Sequence, residues 1–231
     1  MDVLVYIALA AAVIVSAIFT VRRAKAVTHT NLILKVVSSL LFILLGCASY
    51  AAGGRPANAI FIIIGLVFGL VGDAFLDMKY LYPQDEDAHT FTGFAAFIAG
   101  HVFYTLFLFM NYKALPAHII TAVIVGVAAG IIIFATPKLM KLDYGKFRII
   151  SSVYAAFLVF ITVYALLVAF DGKDAARWLM AIGLVLFLLS DLVLSQIYFG
   201  KDKNTPANAG INHALYYAGQ ILIAFSIFFL I

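Results

Sequence analysis

The sequence predicts an all-α protein, a polytopic membrane bundle of eight transmembrane helices forming one domain over residues 1–231. Three observations carry that prediction. Hydrophobic residues make up 65% of the chain and charged ones 11%, against about 45–50% and about 25% in soluble domains. The apolar residues gather into eight runs, each near the ~20 residues a helix needs to cross a bilayer. The breaks between runs are short and carry turn chemistry, which leaves no room for a soluble domain.

The runs are 3–21, 33–52, 58–78, 91–111, 117–135, 148–169, 177–199 and 213–231. Asp2 precedes the first, and Arg22, Arg23 and Lys25 follow it. This reverses a signal peptide's charge order, so the run is read as a retained span. Run two holds Lys35 at its mouth and the one cysteine, Cys47. A single cysteine excludes an intrachain disulfide and is read as packing. The later runs are divided at Gly53-Gly54-Arg55-Pro56, Tyr82-Pro83-Gln84-Asp85, Leu115-Pro116, Thr136-Pro137, Asp171-Gly172 and Asn204-Thr205-Pro206. The acidic Asp85-Glu86-Asp87 stretch reads as a solvated turn.

A formal net charge of +4 does not point to nucleic acid, because the basic residues are scattered through short loops and form no basic face. They report orientation instead. The odd-numbered loops hold Arg22, Arg23, Lys25, Lys35, Lys79, Lys138, Lys141, Lys146, Arg148, Lys201 and Lys203; the even ones hold Arg55, Lys113, Lys173 and Arg177. This asymmetry places the odd loops in the cytoplasm and both termini outside, in a multi-pass protein of the cell membrane.

Within this frame the stretch Gly65–Asp77, GLVFGLVGDAFLD, stands apart, because Asp73 lies deep in a span. A carboxylate there costs roughly 2.5–3.5 kcal/mol on insertion scales, which marks it as a functional candidate needing a partner. Shifted by 118 residues, Gly183–Leu194 reads GLVLFLLSDLVL and repeats Gly65, Leu66, Val67, Leu70, Asp73 and Leu76 as Gly183, Leu184, Val185, Leu188, Asp191 and Leu194. Helices three and seven run the same way, so a parallel repeat of four helices plus four is expected. Asp73, His101, Tyr154, Asp191 and Gln220 fall at similar depths, roughly 9–15 Å from the cytoplasmic ends. Polar groups from five helices in one layer imply a shared interior or wet cavity.

Each residue also has a plainer role. Asp73 can pair structurally with Lys35; His101 can be a hydrogen-bonded interior histidine; Tyr104, Tyr217 and Gln220 can join helices. Asp77 lies one turn beyond Asp73 near the interface and is expected to be solvated or headgroup-facing rather than catalytic. His29, His89, His118 and His213 are assigned to helix ends or loops. Ser190 lacks a GxSxG context and is not read as a nucleophile. Asp73, Asp191 and His101 could ligate a metal, but there is no HExxH, no histidine pair at i, i+4 and no cysteine set, so no metal or cofactor is expected.

Two carboxyls in one apolar site divide into a protonated and an ionised member, which supplies an acid and a base. Such a pair suits hydrolysis of an acid-labile ether or acetal, and equally a proton relay in a transporter.

The segments GLVFGLVGDAFLDM at 65–78, GFAAFIAGHVFYTLF at 93–107, SSVYAAFLVFITVYALL at 151–167, IGLVLFLLSDLVLSQIYF at 182–199 and HALYYAGQILIAF at 213–225 together resemble the YhhN-like family, the lysoplasmalogenases. The joint GD, GHxxY, SD and YYxxQ elements carry the resemblance over helices two to eight. Lys35-Val36 departs from the family's usual Lys-Pro. The resemblance implies an eight-helix hydrolase that cleaves the vinyl ether bond of lysoplasmalogens, releasing a fatty aldehyde and a glycerophospho-alcohol. Asp73 and Asp191 would be its catalytic pair. His101, Tyr104, Tyr154, Ser190, Tyr217 and Gln220 would orient the pair, the water or the ether, and Lys35, Lys79 or Arg148 would meet the lysophospholipid's phosphate. A proton-coupled or lipid transporter using the same aspartates is the rival reading.

Overall fold

The computed structural model describes residues 2–113 and 115–230, and among these it is built from helices with no strand. The eight long helices are α1 (Asp2–Lys25), α2 (His29–Ala52), α3 (Ile60–Leu81), α4 (Glu86–Asn111), α5 (Pro116–Ala135), α6 (Arg148–Gly172), α7 (Ala175–Phe199) and α8 (Pro206–Ser226). All eight are long and apolar enough to cross a membrane. Local chemistry sets their ends. Thr28, Asp174 and Thr205 cap α2, α7 and α8, accepting from the backbone N–H of Asn31, Arg177 and Asn208 at 3.1, 3.0 and 3.2 Å; each satisfies a helix donor that has no partner within its helix. Pro116 and Pro206 occupy first-turn positions where their missing N–H costs nothing.

Helix eight begins seven residues before the apolar run that predicts it. The segment Pro206–Asn212 is too polar for a hydropathy window, yet the Thr205 cap and Pro206 start a helix there. His213 therefore lies two turns inside α8 and is buried, not at a helix end as expected. Helix four likewise starts at Glu86, so Glu86 and Asp87 form its exposed first turn.

Contacts α1–α2, α2–α3, α3–α4, α4–α6, α6–α7, α7–α8 and α8–α1 close seven helices into a ring, with α8 also reaching α2 and α3. Helix five lies outside, packed mainly on α6. Two crossings bring backbones close. A Cβ on Gly100 would lie 3.0 Å from the Gly65 carbonyl oxygen between α3 and α4, and one on Gly219 would lie 2.7 Å from that of Gly183 between α7 and α8. The α5–α6 connection is fastened beneath the bundle: Leu142 bridges Gly200, the Asp143 N–H donates to the Phe199 carbonyl at 2.8 Å, and the Tyr144 ring packs on Phe199.

Candidate active site

Asp73 and Asp191 line one cleft, about 490 Å³ of open space at the α7–α8 end of the ring. Their surroundings differ sharply. Asp73 is 2% exposed and is met by three donors. Ser39 Oγ donates to its Oδ2 at 2.6 Å, Tyr216 Oη donates to the same oxygen at 2.8 Å, and Lys35 Nζ lies 3.4 Å from Oδ1. Lys35 also reaches Asp77 at 3.5 Å, and Arg23 closes on Asp77 at 3.1 Å. Arg23, Asp77, Lys35 and Asp73 thus form a buried ladder of two cations and two carboxylates. Charges taken out of water persist only when paired in this way.

Asp77, expected at the solvated interface, is instead 2% exposed and held by both cations. The reason is that α1 passes close enough for Arg23, read from the sequence only as an orientation signal, to turn inward. Lys35 and Lys79 are also buried. Lys35 is committed to the carboxylates. Lys79 sits 3.3 Å over the Tyr198 ring and 3.9 Å from Glu86. Arg148 lies over Phe134 and donates to its carbonyl. Neither Lys79 nor Arg148 lines the cleft.

Asp191 is only partly buried and has no basic partner within salt-bridge distance among the described residues. Its contacts are hydroxyls: Tyr154 Oη donates to Oδ2, and Ser190 Oγ lies 3.4 Å from Oδ1. Asn212 Nδ2 donates to the Ser190 carbonyl at 2.8 Å, tying α8 to α7 beside it.

Asp191 also borders a second, apolar cavity between α6 and α7, partly open to the outside and lined by Phe94, Leu158, Leu188, Leu192 and Phe199 among others. Leu194 and Tyr198 border both spaces. The carboxyl therefore stands at a boundary, with a polar cleft on one side and an apolar cavity on the other.

A directional relay holds Asp73. Tyr104 Oη donates to Gln220 Oε1 at 3.0 Å, Gln220 Nε2 donates to Tyr216 Oη at 3.1 Å, and Tyr216 donates to Asp73. It needs a glycine in α3, because a Cβ at Gly69 would lie 2.6 Å from Gln220 Nε2. Tyr217 donates to the Lys35 carbonyl at 3.2 Å and lies 3.3 Å from Ser39, joining α8 to α2. His101 lies behind Tyr154, with ring centroids 6.0 Å apart. Its Nδ1 is 2.6 Å from the Phe97 carbonyl. Since a carbonyl only accepts, Nδ1 carries the proton, and Nε2 is left as a buried lone pair without a hydrogen-bond partner.

The sequence overlooked Arg23, Ser39, Asn212, His213 and Tyr216. Two signals were available. Ser39 follows Lys35 by four residues and Gln220 follows Tyr216 by four, so each pair shares a helix face. For Arg23 and Asn212 no local pattern distinguishes an inward side chain from an outward one. Among the described residues, no group of three His, Cys, Asp or Glu side chains is arranged to hold a metal.

A model of the YhhN family matches residues 30–227. The chain belongs to the YhhN family. No solved structure matches it. The matched segment of this YhhN protein covers α2 through α8 and so contains Lys35, Ser39, Asp73, Asp77, Tyr154, Asp191 and Tyr216. Arg23, on α1, lies outside it.

Proposed function

We propose that this YhhN protein is a hydrolase of single-chain alkenyl ether lipids, lysoplasmalogens, cleaving the vinyl ether to a fatty aldehyde and a glycerophospho-alcohol. One observation carries the reading: the carboxyl of Asp191, with no basic partner among the described residues, stands between a polar cleft that contains Asp73 and an apolar cavity that suits a hydrocarbon chain by the chemistry of its lining. An ether whose two sides differ in this way, glycerol on one and alkenyl chain on the other, matches that boundary.

Charge pairing suggests the division of labour. Asp73, with Lys35 and two hydroxyl donors, is suited to carry charge. Asp191, with hydroxyls alone, is suited to carry the proton. In this mechanism Asp191 delivers its proton to the alkenyl carbon beyond the ether carbon, and positive charge spreads over the C–O bond. Water adds to the ether carbon while its proton passes to Asp73. The hemiacetal then collapses: Asp191 takes back the proton of the new hydroxyl, the C–O bond breaks, and Asp73 hands its proton to the departing glycerol oxygen. Both carboxyls return to their starting states.

Purified protein in detergent should release aldehyde from a lysoplasmalogen, where no gradient exists for a transporter to use. A well-folded sample without aldehyde release would sink the hydrolase and leave the proton-coupled transporter. Asp73→Asn and Asp191→Asn should each lower the rate by orders of magnitude at unchanged helix content. Near-normal turnover in either would refute the acid/base pair.

A further inference from the structure

The apolar cavity has a polar end that the hydrolytic reading does not use. Tyr144 and Ser151, 3% and 5% exposed, both line it; among the described residues Ser151 Oγ has no hydrogen-bond partner, and the only group interacting with the Tyr144 hydroxyl is that of Ser195, which lines the same cavity and itself donates to the Leu192 carbonyl at 2.9 Å. Leaving a buried hydroxyl without a good partner is costly, so two bordering one cavity point to a ligand that satisfies them. The cavity is ordered along its length. Because α6 and α7 run antiparallel, Ser151 faces the Ser195–Phe199 level, Tyr154 the Asp191 level and Leu158 the Leu188 level. Ser151, Ser195 and Tyr144 lie at the end closed by the α5–α6 connection, beside Leu194 and Phe199, and Leu158 and Leu188 line the other.

We propose that this cavity binds an uncharged single-chain lipid ending in one oxygen, a long-chain aldehyde, with the oxygen accepting from Ser151 and Tyr144 and the chain lying toward Leu158 and Leu188. A single oxygen acceptor can satisfy both hydroxyls at once, since each can donate to one of its lone pairs. A carboxylate head is disfavoured: among the described residues no lysine or arginine lines the cavity, and Asp191 would face it. A plain hydrocarbon would leave the hydroxyls unpaired. That the aldehyde is the product of the Asp191 chemistry rests on the hydrolase reading; the binding itself does not. Ser151 is one helical turn from Tyr154, so a carbonyl formed at Asp191 would move about 4.5 Å to reach it. The product would thus vacate the reacting position while still occupying the chain site, and would compete with the next substrate.

The test is photolabelling of the full-length protein in nanodiscs with a diazirine-bearing long-chain primary alcohol, which mimics the aldehyde without reacting with lysines. Labels should map to cavity residues of α6 and α7. Hexadecanal and hexadecanol should compete at least tenfold better than hexadecane or palmitate. Ser151→Ala and Tyr144→Phe should each weaken competition about fivefold, the loss of one hydrogen bond of about 1 kcal/mol, whereas Ser151→Thr should retain it. Equal competition by hexadecane, labels spread over lipid-facing α5, or unaltered competition in both hydroxyl-deletion variants would overturn the proposal. Should those variants fail to fold, the competition series on the unmodified protein decides alone. Aldehyde release is scored separately: specific labelling without hydrolysis removes the product role and the hydrolase while keeping the site, and hydrolysis without specific labelling does the reverse.

Discussion

Asp191 and Asp73 differ in what surrounds them more than in where they stand. Tyr154 is the strongest partner of Asp191, so Tyr154→Phe should lower kcat about 10- to 100-fold with KM little changed, because a group that orients the acid acts on chemistry more than on binding. Steady-state kinetics on one substrate checks this split. The ladder behind Asp73 makes a different claim, on stability. Arg23→Met leaves Asp77 with Lys35 alone and should cost about 3–5 kcal/mol in detergent unfolding, while Arg23→Met combined with Asp77→Leu should recover most of it. At this scale the sequence was legible for groups whose presence in a span is itself anomalous. Asp73, Asp191, His101 and Gln220 announce themselves because apolar surroundings make them costly. It was illegible for Arg23 and Asp77, which lie near helix ends, where a charged side chain can equally well face water, and for His213, whose helix starts seven residues before the apolar run that marks it. Lys35 shows the same ambiguity: its place at a helix mouth fits a headgroup contact, and only the approach of α3 commits it to two carboxylates.

At the level of elements, α8 carries most of the work of assembly. It presents Asn212, Tyr216, Tyr217 and Gln220 to four partners: the Ser190 carbonyl, Asp73, the α2 backbone and Tyr104. The Tyr104–Gln220–Tyr216 relay crosses α4, α8 and α3, and it passes where α3 lacks a side chain. Gly69→Ala should therefore displace the Gln220 amide and reduce turnover about tenfold, with Gln220→Ala relieving the clash but not restoring the relay. Kinetics and thermal unfolding of the single and double variants together would separate positioning from packing. The eight helices themselves were readable from hydropathy, since long apolar runs leave few alternatives. The starts of α4 and α8 were not, because polar first turns are set by caps and by Pro206, which a hydropathy window averages away. Helices α3 and α7, which share a sequence pattern, each cross the next helix in the ring at a glycine pair, Gly65 with Gly100 and Gly183 with Gly219. The two aspartates of that repeat nonetheless have unlike neighbours, because α2 supplies Lys35 and Ser39 to one and α6 supplies only Tyr154 to the other.

For the molecule as a whole, the ring of seven helices with α5 outside implies uneven tolerance. Exposed positions on α5 such as Ile124 and Ile131 should accept leucine or valine with less than about 0.5 kcal/mol change in detergent stability, whereas leucine at Gly183 should unfold the bundle at the α7–α8 crossing. A thermal-shift panel over both sets tests this. The cation–carboxylate ladder also bears on how the chain is made. Helix three carries two carboxylates and, released alone into lipid, would be a poor span. Arg23 and Lys35, which neutralise it, belong to the two helices synthesised before it. Its passage from the translocation machinery into the bilayer is then expected to wait on α1 and α2, so that deleting the first helix would be felt as a defect in inserting the third.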